Sequence, residues 1–239
     1  MSVIEYGIVA IIAFLAAVLS GTSAVGGAAL MTVILTLFFG GELAVPILTI
    51  VMLMANLTRA FAGVKEIAWK DVGLFLLTSF PLSLFGALEF ALLPKNAINI
   101  VLGIATIIFG ALKLVEFKKF KLGTRSILSI GAISGFLSGF VGSSGTISAM
   151  LFFSLGLSPV GFVASEAAAV SILHIGKIIV YGSLLDIKYE IWLFAVLVGC
   201  VMIAGTLLGN RFIKKVNLKS FEKYVSFIMI IMGLYMIIF

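Results

Sequence analysis

Apolar runs follow one another almost without interruption along the 239 residues. They cover roughly 3–20, 24–39, 44–64, 72–92, 97–115, 127–140, 144–157, 160–182, 190–210 and 219–238. A helix crossing the hydrocarbon core of a bilayer needs about 20 such residues. The composition leaves no other home for them: 62% of the residues are hydrophobic and only 11% are charged, where soluble domains carry about a quarter. A water-soluble core cannot hide that much apolar surface, so the sequence predicts an all-α integral membrane protein. The net charge of +6 then belongs to basic loops at the membrane surface, and no nucleic-acid partner is expected. The lone Cys200 excludes a disulfide framework or a cysteine metal cluster within one chain, and no cofactor is expected.

Two pairs of runs have no polar loop between them, only glycines and small hydroxyl residues. The first break is Ser20-Gly21-Thr22-Ser23-Ala24-Val25-Gly26-Gly27 and the second is Ser138-Gly139-Phe140-Val141-Gly142-Ser143-Ser144-Gly145. A shift of 118 residues superposes Ser20-Gly21 on Ser138-Gly139 and also brings Gly27 onto Gly145, Asn56 onto His174 and Arg59 onto Lys177. The chain therefore reads as a duplicated unit: a first membrane repeat, 1–115, a basic cytoplasmic linker, 116–124, and a second membrane repeat, 125–239, together one transmembrane domain. Internal repeats are a mark of transporter folds.

Charge sets the orientation. Ten of the 16 Lys and Arg lie in two loops, Lys113, Lys118, Lys119, Lys121 and Arg125 in one, Arg211, Lys214, Lys215, Lys219 and Lys223 in the other. The positive-inside rule puts both on the cytoplasmic side. Two cytoplasmic loops need an even number of crossings between them, so the second broken element must return to the side it entered from. The same parity places loops 65–71 and 183–189 on opposite sides. The expected architecture is thus two inverted repeats, each a Gly-broken helical hairpin or re-entrant element plus three transmembrane helices, with both termini external in the cell membrane.

Backbone freed at a break inside lipid must be satisfied by protein, water or ligand. Helices starting near Gly26, Gly27, Ser143, Ser144 and Gly145 would offer free N–H groups and a positive dipole end to an anion, with Thr22 and Ser23 as further donors. Close helix packing through small residues is the competing explanation for such glycines. Ionisable residues inside a span cost about 3 kcal/mol at the centre and mark functional sites by default. Asn56 and Arg59 share one face of their helix, and His174 and Lys177 repeat that spacing in the second half. Each half then presents a polar or titratable group beside a cation, a cationic path for a small anion, unless the two cations snorkel to the headgroups. Glu166 stands where the first repeat has Leu48; with His174, the only histidine, it forms a candidate proton-coupling pair, the bland alternative being a dipole-favoured acid near a helix start. Glu89, Trp69 and Trp192 read as interfacial. No metalloprotease, nucleophile-elbow or phosphate-loop motif is present, so no enzyme is expected. A membrane-embedded enzyme or assembly factor using Ser143 and His174, and transport of another anion or of a cation at Glu166 and Glu89, stand as alternatives.

On the two-fold repeat and the Gly-rich element with its following helix in each half (Ser20 to Gly27 then Pro46 to Gly63, and Ser138 to Gly145 then Ser158 to Gly182), the chain resembles the sulfite exporter TauE/SafE family, also called toluene sulfonate uptake permeases. The resemblance implies a secondary transporter, usually an exporter, of sulfur-containing anions such as sulfite, sulfonates or sulfoacetate. The partners expected are that small anion and the lipid bilayer, with a homodimer allowed.

Overall fold

The computed structural model describes residues 3–23, 27–114, 123–142, 145–212 and 218–238, with the backbone alone given at 3–4, 19–23, 29, 95–96, 113, 210–212 and 218–225. The regular structure among the described residues is helical throughout: α1 Val3–Ser23, α2 Gly27–Ala62, a 3-10 turn Val64–Glu66, α3 Trp69–Leu92, α4 Lys95–Leu114, α5 Thr124–Val141, α6 Gly145–Ser154, α7 Pro159–Leu184, α8 Tyr189–Phe212 and α9 Leu218–Ile238. Five helical stretches are long and apolar enough to cross a membrane, Leu30–Ala62, Trp69–Leu92, Thr124–Val141, Pro159–Leu184 and Tyr189–Gly209. The outer surface fits that setting: Ile11, Leu77, Leu92, Ile179 and Ile231 are each more than 60% exposed, a distribution that suits lipid rather than water.

Three of the runs take a definite form. Runs 24–39 and 44–64 form two helical stretches within α2 that meet without an intervening loop at Gly40, whose φ of 73° and ψ of 161° are non-helical and suit glycine alone. Run 144–157 yields only the ten residues of α6, about 15 Å of helix, half the thickness of a bilayer core. Its start is set by the end of α5, where Gly142 takes φ 84° and stops the helix.

Helix pairing follows the small residues. α3 lies on α5, α1 on α8 and α4 on α9. At the first of these contacts a Cβ on Gly135 or Gly139 would collide with the backbone of Ser79 or Ser83. At the second, Gly205 and Gly209 meet the backbones of Phe14 and Val18, and at the third Gly103 faces Gly233. This is the close approach that small residues give membrane helices, so Gly139 of the second break is a packing residue.

The centre is formed by α2 and α7, which also contact α8 and α3. They run antiparallel: Gly63, just past the end of α2, abuts Val160 and Ala164 at the start of α7, while Val45 and Tyr181 share a core cluster at the other end. Ser158 starts α7 by accepting from the Gly161 N–H at 2.9 Å, ahead of Pro159. The Ser158 hydroxyl also donates to the Glu66 carboxylate, and Ser165 Oγ accepts from the Ala68 N–H at 2.9 Å. These bonds tie the α2–α3 connection to the α7 entrance. At the opposite end Phe90 of α3 packs on Tyr181 of α7, with ring centroids 5.7 Å apart.

Candidate functional site

The α2–α7 crossing holds the charge. Among the described residues the buried cations are Arg59 and Lys177, and the buried carboxylate is Glu166. Snorkelling is thereby set aside for both cations, since each is enclosed by protein at 3% exposure or less. Arg59, a turn before the end of α2, donates through Nη2 to Asn56 Oδ1 and lies 3.8 Å from Glu166 Oε2. Glu166 reaches across from the second turn of α7, and its Oε1 accepts from Ser148 Oγ of α6 at 2.9 Å. His174, two turns further along α7 and three residues before Lys177, is buried.

The polar capacity of this cluster is only partly spent. Among the described residues Arg59 Nε and Nη1, Glu166 Oε2 and His174 Nδ1 make no hydrogen bond. Buried polar atoms are normally satisfied, and each exception asks for an explanation. Two unspent N–H donors of Arg59 and the unpartnered ring Nδ1 of His174 are buried in a group where two cations outnumber one carboxylate. That arrangement can take a small anion through charge-assisted hydrogen bonds.

Lys177 is used differently. Its Nζ donates to the Ser138 carbonyl at 3.1 Å, to Ser138 Oγ at 3.0 Å and to the Gly142 carbonyl at 3.0 Å. An ammonium has three donors, so all are committed. Tyr181, one turn on, donates its hydroxyl to the Gly139 carbonyl at 2.6 Å. The last carbonyls of a helix have no partner within it, and here two side chains of α7 close the broken end of α5.

The remaining sequence candidates divide. Gly27 and Gly145 begin α2 and α6. Thr22 and Ser23 lie in the last turn of α1, where the backbone alone is described, and Gly26, Ser143 and Ser144 fall outside the described residues. Glu89 and Glu166 do not share a site: Glu89 adjoins Phe90, which packs on Tyr181, and Tyr181 lies 15 residues along α7 from Glu166, about 22 Å of helix. A cation site built from both carboxylates is thus ruled out by distance.

Three residues of the cluster escaped sequence reading: Ser138, Ser148 and Tyr181. A signal existed for two of them. Ser148 and Glu166 both stand opposite leucines, Leu30 and Leu48, in the repeat alignment, a pair of polar departures that meet in space. Tyr181 follows Lys177 at i+4, the spacing of one helix face.

A sulfite exporter TauE/SafE family model matches residues 9–236. No curated protein and no solved structure matches the chain. A match over nearly the whole length, on a multi-pass helical chain with a buried cationic cluster, is decisive: the chain belongs to the sulfite exporter TauE/SafE family.

Proposed function

We propose that the protein exports small sulfur-containing anions, such as sulfite or organosulfonates, as a secondary transporter, with the substrate held beside Arg59 where α2 crosses α7. The family is one of membrane transporters and not of enzymes, and the chain is a multi-pass membrane protein. The observation that carries the substrate site is the set of unspent polar atoms on Arg59 and His174, buried at a crossing of membrane helices. Arg59 supplies the planar fork that suits an oxyanion. Asn56 orients it and His174 contributes a further nitrogen; Gly27, Gly145, Thr22, Ser23, Gly26, Ser143 and Ser144 are proposed as further ligands on the sequence pattern of the two breaks alone. Lys177 acts on the substrate through its field, because its three donors hold the end of α5.

The two units 1–115 and 125–239 act in this reading as inverted repeats that rock against each other. Exchanging α1–α4 with α5–α9 carries the helix pairings onto one another, α3 on α5 becoming α8 on α1, and the counterparts α2 and α7 run antiparallel. An anion leaving the cell down an inside-negative potential gains about 2.3 kcal/mol per charge per 100 mV, which suffices to drive export without ATP.

Sulfite efflux from proteoliposomes tests the site. Arg59→Ala is expected to lower the rate at least about 100-fold, the effect of losing one positioned charge-assisted donor pair, and His174→Ala about tenfold. Wild-type flux in Arg59→Ala refutes the assignment. A second reading, a serine-based enzyme at Ser143 and His174, has no supporting observation, since His174 Nδ1 has no partner among the described residues to orient it.

A further inference from the structure

The ion pair at the α2–α7 crossing has an unusual build. Glu166 and Arg59 stand 3.8 Å apart with no hydrogen bond between them, although both are buried and a fork-to-carboxylate contact is what such a pair ordinarily makes. Each is held from its far side instead. Ser148 anchors Glu166 through Oε1, leaving Oε2 toward the arginine, and Asn56 anchors Arg59 through Nη2, leaving Nε and Nη1 unspent. The carboxylate is tethered on α6 and α7 while the guanidinium is tethered on α2, so the pair joins two elements that belong to different halves of the chain. The first repeat has no such acid: Leu48 and Leu30 occupy the positions of Glu166 and Ser148. The acid is therefore not demanded by the duplicated scaffold. A buried carboxylate inside a membrane span is costly, and one that only neutralised Arg59 would close onto it.

We propose that the Glu166 carboxylate is a tethered stand-in for the substrate: it neutralises Arg59 in the empty carrier, and an entering oxyanion displaces it toward Ser148 and takes the guanidinium. This rests on the proposed anion site at Arg59 and adds a residue that sets its affinity. Removing the cost of an empty buried cation keeps the unloaded site intact, and competition from the carboxylate weakens substrate binding enough to permit release. The formal charges agree. Arg59, Lys177 and Glu166 together leave one net positive charge, which a single monovalent anion cancels without any carboxylate leaving the cluster. An internal competitor that occupies the cation about nine-tenths of the time raises the apparent dissociation constant about tenfold.

The test is sulfite binding to the purified full-length protein by titration calorimetry, at constant ionic strength, with four forms. Glu166→Gln keeps an acceptor for Ser148 and removes the competing charge; it is expected to bind sulfite about tenfold more tightly than wild type and to exchange it more slowly in efflux. Glu166→Asp withdraws the carboxylate by one methylene and is expected to fall between the two, so the ordering Gln, Asp, Glu stays readable in the remaining pair if one variant does not fold. Equal or weaker binding by both Glu166→Gln and Glu166→Asp overturns the stand-in role. The double variant Arg59→Gln/Glu166→Gln separates this from the site itself: lost binding there, with Glu166 variants like wild type, leaves the site at Arg59 standing and removes only the competitor. Binding by the double variant equal to that of Glu166→Gln removes both.

Discussion

Lys177→Met should act on the stability of the α5 end before it acts on the substrate. The side chains are close in length, and the change removes the charge and three hydrogen bonds, to Ser138 O, Ser138 Oγ and Gly142 O. Bonds from an ionised donor are worth about 1.5–3 kcal/mol each, but burying an ammonium costs several kcal/mol in return. What remains is the penalty for three stranded, buried acceptors, at about 1 kcal/mol each, so a loss of about 3 kcal/mol is expected. Tyr181→Phe strands the Gly139 carbonyl alone and should cost about 1 kcal/mol. Because both side chains close the same helix end, the double variant should depart from additivity by more than about 0.5 kcal/mol. The assay is reversible unfolding in mixed detergent–SDS micelles, run beside sulfite binding on the same preparations. A Lys177→Met protein with wild-type unfolding energy and no sulfite binding would refute the reasoning, for it would make Lys177 a ligand and leave the α5 carbonyls satisfied by something else.

Two further outcomes are expected. Gly139→Val should destabilise by about 3 kcal/mol or more in the same unfolding assay, because its side chain would fall on the Ser83 carbonyl and the Ala87 N–H, rigid helix backbone that cannot yield; Gly73→Ala, where a Cβ meets nothing within 4 Å, should change stability by no more than about 0.5 kcal/mol. Single cysteines at the exposed positions Lys65 and Lys188, in a Cys200→Ser background, should label with an impermeant thiol reagent from opposite faces of the membrane, and labelling from one face would end the inverted arrangement.

The legible part of the fold was the part that lipid dictates. Hydrophobic length placed the spans, and the Gly/Ser stretches marked the interruptions, because a chain in lipid must break where the backbone can be resatisfied. The details left open were set by single backbone torsions. Gly40 and Gly41 stand side by side, and nothing in the run pattern says that the non-helical torsion falls on the first with no loop beside it, whereas Gly142 ends α5 before a break. The site was half legible. Arg59, Asn56, His174 and Lys177 stood out because polar and charged groups inside a span are rare, and the Asn56–Arg59 pairing followed from their spacing, but the partners supplied by other helices were invisible. Spacing along one helix shows which side chains share a face. It says nothing of which face of another helix arrives opposite, and so Ser138, an ordinary hydroxyl in an apolar helix, gave no sign of its role.

The asymmetry of the two cations gives the scaffold a direction for its charge. In the repeat alignment Arg59 and Lys177 are equivalent, yet one is matched to a carboxylate and the other to backbone carbonyls. Only the first partner can be exchanged for a substrate, since carbonyls at a broken helix end have nowhere to go without unwinding it. In the proposed cycle Lys177 therefore stays charged and in place, and the cluster carries one net positive charge when empty and none when loaded with a monovalent anion. An inside-negative potential then acts little on the loaded carrier moving outward and draws the empty, positive site back toward the cytoplasm. A force of about 2.3 kcal/mol per charge per 100 mV on that return step speeds export and hinders import, so a pair of near-equivalent repeats can work as a one-way device without any second coupled ion.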